Sequence, residues 1–158
     1  MNSPIIRPPV IRPPVIRPIV DADFGQWLPL WTGYNTFYKR TLSEEITRRT
    51  WARFLDPNEP MHALVAEQDG ALLGLVHYLF HRATATVEDA CYLADLFTNQ
   101  QARGKGVGRR LIEAVYGAAR IAGASRVYWQ THETNAVAQV LYNEVAERSG
   151  FIVYRKPL

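Results

Sequence analysis

The chain has 158 residues, 47% apolar and 21% charged, with a formal charge of +3. Those proportions suit one soluble globular domain with a real core, and no apolar run reaches the roughly 18 residues that a membrane helix needs. The proline-rich N-terminus lacks the apolar stretch of a secretory signal, and the single cysteine, Cys91, rules out an internal disulfide, so a reducing, cytoplasmic setting is expected.

Lysine appears only at Lys39, Lys105 and Lys156; the positive charge is mostly arginine. Arg7, Arg12 and Arg17 fall near the N-terminus, and Arg103, Lys105, Arg109 and Arg110 crowd together. The rest are scattered among acids. Such a distribution suits one local anionic ligand better than a nucleic-acid track, and with no membrane-length apolar run no membrane partner is expected either.

Residues 6–20 read IRPPV-IRPPV-IRPIV, too dense in proline for a helix or a central strand. Residues 1–14 are therefore expected to be a proline-rich lead-in, in polyproline II conformation, with Val15–Val20 entering the fold as a first strand and 15–158 forming a single domain. The repeat is also open to reading as a ligand for a partner domain. From Asp21 the pattern turns helical: Asp21 and Asp23 can cap a segment carrying Phe24, Trp27, Leu28, Leu30 and Trp31, with Pro29 a point of interruption. Thr41 and Glu44 suggest a capping box for a second helix through Trp51 and Phe54, stopped by Asp56-Pro57-Asn58. Met61–Glu67 and Leu72–His81 read as a hairpin turning at Gln68-Asp69-Gly70, and Val87–Thr98 as a third strand.

Beyond a glycine-rich loop, Leu111, Ile112, Val115, Ala119 and Ala122 form the apolar stripe of a clear helix with Gly123 as its stop. Arg126–Thr131 reads as a strand, Asn135–Arg148 as a helix ended at Gly150, and Phe151–Tyr154 as a last strand. The order β-α-α-β-β-β-α-β-α-β predicts a mixed α/β fold, antiparallel in its first half with a parallel crossover after it.

The strongest local feature is Arg103-Gly104-Lys105-Gly106-Val107-Gly108, after a strand and opening a helix. Glycines bring backbone amides close to a ligand, and the helix N-terminus adds positive potential, so the loop suits a phosphate or pyrophosphate. A Walker loop needs Ser or Thr after Gly-Lys, where Gly106 stands. A dinucleotide fingerprint needs glycine at Arg109 and an acid about 20 residues later, which is missing around Trp129 and Gln130.

Arg103-x-x-Gly106-x-Gly108 resembles the pyrophosphate motif of the GNAT acetyltransferases. The preceding Tyr92-Leu93-Ala94-Asp95-Leu96-Phe97 is similar to the strand feeding this loop in polyamine and histone acetyltransferases. Tyr128-Trp129-Gln130-Thr131-His132-Glu133-Thr134-Asn135 with Ala138 and Leu141-Tyr142 resembles the yeast histone and polyamine enzymes and their bacterial relatives, a group that includes acetyltransferases of D-amino acids. The likeness is tight from Cys91 to Phe151 and looser from Val15 to Arg82.

The resemblance implies a GNAT-like fold, a central mixed sheet with helices on both faces, and acetyl-CoA as cofactor. It implies that Arg103, Gly104, Lys105, Gly106, Val107, Gly108 and Arg109 bind the pyrophosphate and that Phe97 and Thr98 pair with the pantetheine arm. Asn135 and Ala138 would flank that arm, the N–H of Leu96 would stabilise the acetyl carbonyl, and Tyr142 would hydrogen-bond the leaving thiolate. Full proton transfer from Tyr142 is uphill, since a phenol titrates near 10 and a thiol near 8.5. Certain polyamine-type relatives carry a glutamate where this chain has Ala94. Asp95 is expected on the opposite strand face and is equally read as a structural carboxylate, with His132 and Glu133 as further candidate bases. By the same architecture, Tyr34, Phe37 and Tyr38 would line the acceptor site, whereas Trp27, Trp31 and Trp51 read as core.

No metal is expected: His77 and His81 would stand about 13 Å apart along a strand. Cys91 reads as a small buried apolar residue. The leading reading is direct acetyl transfer to a primary amine of a small molecule, an amino acid or polyamine-like, within a ternary complex. A protein lysine or N-terminus remains an open alternative acceptor, and a non-catalytic acyl-CoA-binding module a third reading. A strand at Phe151–Tyr154 would leave an open sheet edge, from which a homodimer is expected.

Overall fold

The computed structural model describes residues 12–158, in two compact units, 12–128 and 129–158. The lead-in expected over residues 1–14 lies outside the described residues except for its last three.

The first unit is a five-stranded sheet in sequential order, β1 (Val15–Pro18), β2 (Met61–Gln68), β3 (Ala71–His81), β4 (Ala90–Thr98) and β5 (Arg126–Tyr128). Neighbours are antiparallel up to β4, and β4–β5 is parallel, as the crossover through helix α3 (Val107–Ile121) requires. Helices α1 (Phe24–Phe37) and α2 (Glu44–Leu55) precede β2. The last copy of the pentapeptide does enter the sheet, and its Pro18 is tolerated because β1 is an edge strand. Arg17 ties that edge down: its guanidinium donates to both carboxylate oxygens of Asp23 at 2.7 and 2.9 Å and also to Glu67. The Asp23 carboxyl is held below its ordinary range by Arg17, so this contribution is present at neutral pH and is lost as the pH falls through that lowered value.

Helix α1 runs without a break through Pro29. Its Gln26 side chain clips the helix to the β2–β3 hairpin, donating to Gly70 O and accepting from Leu72 N–H. The hairpin turns at Asp69-Gly70, both with positive φ (50° and 80°), the two-residue turn that Asp-Gly favours. Helix α2 is capped by Ser43, whose hydroxyl accepts from Ile46 N–H, and not by Thr41. On one sheet face Ile19, Trp27, Leu30, Trp31, Tyr34 and Trp51 pack with Ala63, Val65, Leu72 and Leu75. Helix α3 covers the other face with Val107, Leu111, Ile112, Val115 and Ala119. Ala122 is exposed, because the helix ends at Ile121 and Gly123 (φ 71°) reverses the chain.

Two irregularities change the alternation of side chains. Between Ala66 and Glu67 the register of β2 on β3 slips by one residue. On β4, Tyr78 pairs with Leu93 but His77 pairs with Asp95, so Ala94 is an extra residue. Strand β4 begins at Ala90, with Val87 outside it and almost fully exposed.

In the second unit α4 (Ala136–Val145) is the single helix, shorter than the expected Asn135–Arg148 because Ala146 is already extended. No strand forms at 129–131 or at Phe151–Tyr154. The apolar run 151–154 is exposed and pairs with no strand among the described residues. The sheet edge from which a dimer was expected is therefore absent.

Gly74 of β3 lies close to both β4 and α3: a Cβ there would stand 2.7 Å from the Phe97 carbonyl oxygen and 3.2 Å from a Leu111 methyl. The backbone oxygen cannot swing aside. Gly74→Ala is expected to cost about 1–3 kcal/mol through overpacking, lowering Tm by roughly 3–10 °C. Thermal unfolding followed by circular dichroism checks this, and an unchanged Tm would contradict so close a contact.

Candidate functional site

The glycine-rich loop is built by local rules. Asn99 caps a short 3-10 turn, Gln100–Ala102, by accepting from Ala102 N–H at 2.8 Å. The chain then turns through Gly104 (φ 72°) and Gly106 (φ 78°) into α3. Both glycines are left-handed, and a Cβ on either would meet nothing within 4 Å, so the cradle is open. Gly106 is the N-cap of α3 and offers no side chain to its first N–H groups. A fifteen-residue helix thus begins with uncapped amides beside Lys105 and Arg109, a donor set that fits an anionic phosphate. Arg103 is turned back from the loop tip: its Nε donates to Thr98 O at 3.2 Å and its guanidinium lies 5.7 Å from the Phe97 ring centre.

Strand β4 leads into this loop with one edge open. Its parallel pairing with β5 covers Ala90–Tyr92 only, so Leu93–Thr98 has no strand on that side among the described residues. The direction of the backbone there follows from one bond. Asn99 N–H donates to Leu73 O. Since bonding sides alternate along an antiparallel ladder, Phe97 faces β3, and Leu96 and Thr98 direct N–H and C=O to the open edge. An extended chain carrying amides can pair with such an edge as an added strand would. The donors and acceptors suit the pantetheine arm of a CoA thioester, just as the loop suits its pyrophosphate.

On the α1 face the bulge at Ala94 overturns the expected orientation of Asp95. In an unbroken ladder Ala94 would oppose His77; with the bulge Asp95 does, and a carboxylate oxygen lies 3.0 Å from His77 Nδ1. The Nε2 of His77 is 3.1 Å from the indole nitrogen of Trp27. An indole N–H can only donate, so Nε2 accepts and the ring proton sits on Nδ1, pointing at Asp95. His77 is fully buried; the Asp95 side chain keeps 19% of its surface exposed.

Tyr34, from the last turn of α1, brings its hydroxyl to Ala94 O (3.4 Å) and the Asp95 carboxylate. Burial, then the charge of Asp95, pushes its phenol well above the ordinary range. Tyr34 stacks on Trp31, with centroids 5.6 Å apart, and meets Tyr38 edge-on. Phe37 is half exposed beyond them, and Arg40 lies over the rings of Tyr34 and Tyr38 at 5.5 and 5.6 Å. The expected aromatic set is thus partly assembled: Tyr34 and Tyr38 meet beside Asp95, and the Phe37 ring meets Tyr38 edge-on at 5.1 Å. The indole N–H of Trp31 and the amide oxygen of Asn35 are buried nearby on the same helix without partners. His77 and Arg40 were missed in the sequence as site residues, since neither belongs to a motif.

In the second unit Asn135 precedes α4 and donates from its amide to Thr131 Oγ1 at 3.1 Å. Ala138 and Tyr142 follow at helical spacing on one face. The Tyr142 ring meets Trp129 edge-on at 5.4 Å. His132 is engaged with Thr134 and exposed, and Glu133 is exposed. Cys91 is buried, its thiol pushed up to about 11 by burial, which makes it a poor nucleophile. No group of three or more His, Cys, Asp or Glu able to hold a metal ion occurs among the described residues, and none of the described helices is long and apolar enough to cross a membrane.

Comparisons with known proteins agree with this geometry. The chain is 38% identical over 140 residues to the D-amino-acid N-acetyltransferase HPA3 of Saccharomyces cerevisiae, covering 87% of each chain. Among solved structures, the ribosomal-protein-alanine N-acetyltransferase of Brucella melitensis aligns with a TM-score of 0.78 at 21% identity, over 92% of this chain and 99% of that one. AAC(6')-Iy in complex with a CoA bisubstrate analogue aligns with a TM-score of 0.79 at 17% identity, over 92% and 99%. At these identities the structural likenesses speak for the fold alone. The family model of the Acetyltransferase (GNAT) family matches residues 26–146. With a glycine-built anion cradle on α3 and an open β4 edge leading into it, the chain belongs to the GNAT family of N-acetyltransferases.

Proposed function

We propose that the protein transfers an acetyl group from acetyl-CoA to the primary amine of a small molecule, an amino acid, by direct attack within a ternary complex. The observation that carries the cofactor reading is the left-handed, uncapped Gly106 at the start of α3, with the open backbone edge of Leu96 and Thr98 just before it. Acetyl-CoA supplies the activated acetyl thioester. Amides of residues 107–109 and the charges of Lys105 and Arg109 hold its diphosphate, and Phe97–Thr98 and Asn135 hold the pantetheine amides, with Ala138 leaving room. The Leu96 N–H donates to the acetyl carbonyl oxygen, where negative charge grows during attack. The Tyr142 hydroxyl donates to the departing sulfur. Amino acids as acceptors are supported by the name of the yeast relative and by the few acids around Tyr34, Phe37 and Tyr38, which suit a polyamine poorly.

Two substitutions separate binding from chemistry. Gly106→Trp puts a bulky side chain in the cradle at a φ that L-residues resist by about 1–2 kcal/mol. Calorimetric titration with acetyl-CoA is expected to show saturable binding by the wild type and none by the variant. Tyr142→Phe is expected to bind acetyl-CoA within about twofold of wild type and to lose about 10- to 100-fold in kcat, the worth of one hydrogen bond to a charged group. CoA release over a panel of D- and L-amino acids, polyamines and lysine peptides names the acceptor. Wild type that is folded yet binds no acetyl-CoA would overturn the proposal.

A further inference from the structure

Tyr34 has a carboxylate at its hydroxyl and a guanidinium over its ring. Asp95 reaches the first and Arg40 the second, and no ion pair joins Asp95 to Arg40 among the described residues. Asp95 is partly exposed and Arg40 exposed, so a ligand can meet both. Arrangements that merely stabilise a fold pair opposite charges with each other, as Arg17 does with Asp23 and Glu67. Here they are kept apart by one aromatic side chain.

The carboxylate is also aimed. His77 donates to it from Nδ1 while Trp27 fills Nε2, and the imidazole is gripped by the rings of Trp27, Trp31 and Phe54, with centroids 6.0, 5.2 and 4.3 Å away. With Nε2 occupied by a donor that cannot reverse, His77 has no free lone pair to take a proton passed along from Asp95. A relay is thereby excluded, and a positioning role is left. On the same helix as Tyr34 the buried Trp31 N–H and Asn35 Oδ1 lack partners among the described residues, which is rare for buried polar atoms and would be relieved by a group that both accepts and donates.

We propose that Asp95 and Arg40 bracket the acceptor as a zwitterion, Asp95 docking the ammonium group and Arg40 the carboxylate of an α-amino acid, with His77 as the positioning residue that aims Asp95. This rests on the acetyltransferase reading above and names the residues that recognise its acceptor. The two ends of an α-amino acid with a hydrogen bond at each need a gap of about 8 Å between the protein charges, a span one phenol ring can set. Each end then makes a charge-assisted hydrogen bond in a site partly shielded from water.

The test is steady-state kinetics with the best amino acid found by the panel and with its amide, which keeps the ammonium and lacks the carboxylate. Acetyl-CoA affinity is measured on every variant. Arg40→Ala is expected to raise KM for the amino acid about 10- to 50-fold and to change KM for the amide less than about threefold. Asp95→Asn is expected to raise KM for both by about 30-fold or more, with acetyl-CoA affinity unchanged. His77→Asn retains an N–H near the Nδ1 position and His77→Leu does not, while both lose the Trp27 bond equally. The Asn variant is therefore expected to keep KM within about fivefold of wild type and the Leu variant to exceed tenfold.

Equal KM effects of Arg40→Ala on amino acid and amide, or an unchanged KM in Asp95→Asn, would overturn the proposal. Equal effects of the two His77 variants would remove His77 as the positioning residue. Should Asp95→Asn not fold, dead-end binding to wild type with CoA decides. An alkylammonium that binds at least tenfold tighter than the isosteric alcohol supports the docking role, and equal affinity refutes it. Failure of wild type to bind acetyl-CoA at all falls instead on the reading beneath it.

Discussion

One extra residue in β4 organises this side of the molecule. Strand side chains alternate, so an insertion sends every later residue to the other face. At Ala94 it takes Asp95 from the face that Leu93 shares with Tyr78 and sets it against His77, under α1. The carboxylate then has a donor at its back and a phenol before it. A charge taken largely out of water is costly without such partners, so the imidazole proton supports the arrangement together with the bulge. The same strand, three residues on, turns its Thr98 carbonyl to the open edge and runs into the glycine loop, so one β-strand joins the Asp95 cluster to that loop.

The core is unusual in how much of it is aromatic. Trp27, Trp31, Tyr34, Trp51, Phe24 and Phe54 pack between α1, α2 and the sheet, in tilted, stacked and edge-on pairs from 4.9 to 6.4 Å. Such rings combine large buried area with few rotatable bonds, and so hold His77 rigidly at low entropic cost. Trp27 serves twice, as the centre of that stack and as the donor that sets the His77 tautomer. Glycine works oppositely at Gly74, where the absence of a Cβ lets β4 approach β3 and α3 closely enough to aim its outer edge.

What could be read along the chain was whatever depends on near neighbours. The Asp-Gly hairpin, the α3 stripe with its Gly123 stop, and the anion loop are made of residues a few positions apart, and their chemistry sits in local φ preferences and helix periodicity. The extent of the mixed α/β fold followed from them. One misreading is non-local, the strand expected at Phe151–Tyr154, which pairs with no strand among the described residues; the other is local, the cap of α2, which is Ser43 next to the helix and not Thr41.

By itself the sequence determined a glycine-rich loop suited to an anion, a helix to anchor it and an aromatic core, because each rests on spacing or composition within one element. Only the tertiary structure decided that Asp95 faces His77 and Tyr34. That outcome depends on a register slip between two strands, at the pairs Tyr78–Leu93 and His77–Asp95, and no propensity within β4 distinguishes a bulged Ala94 from a paired one. Arg40 likewise carries no motif, and its meaning comes from the ring it lies over.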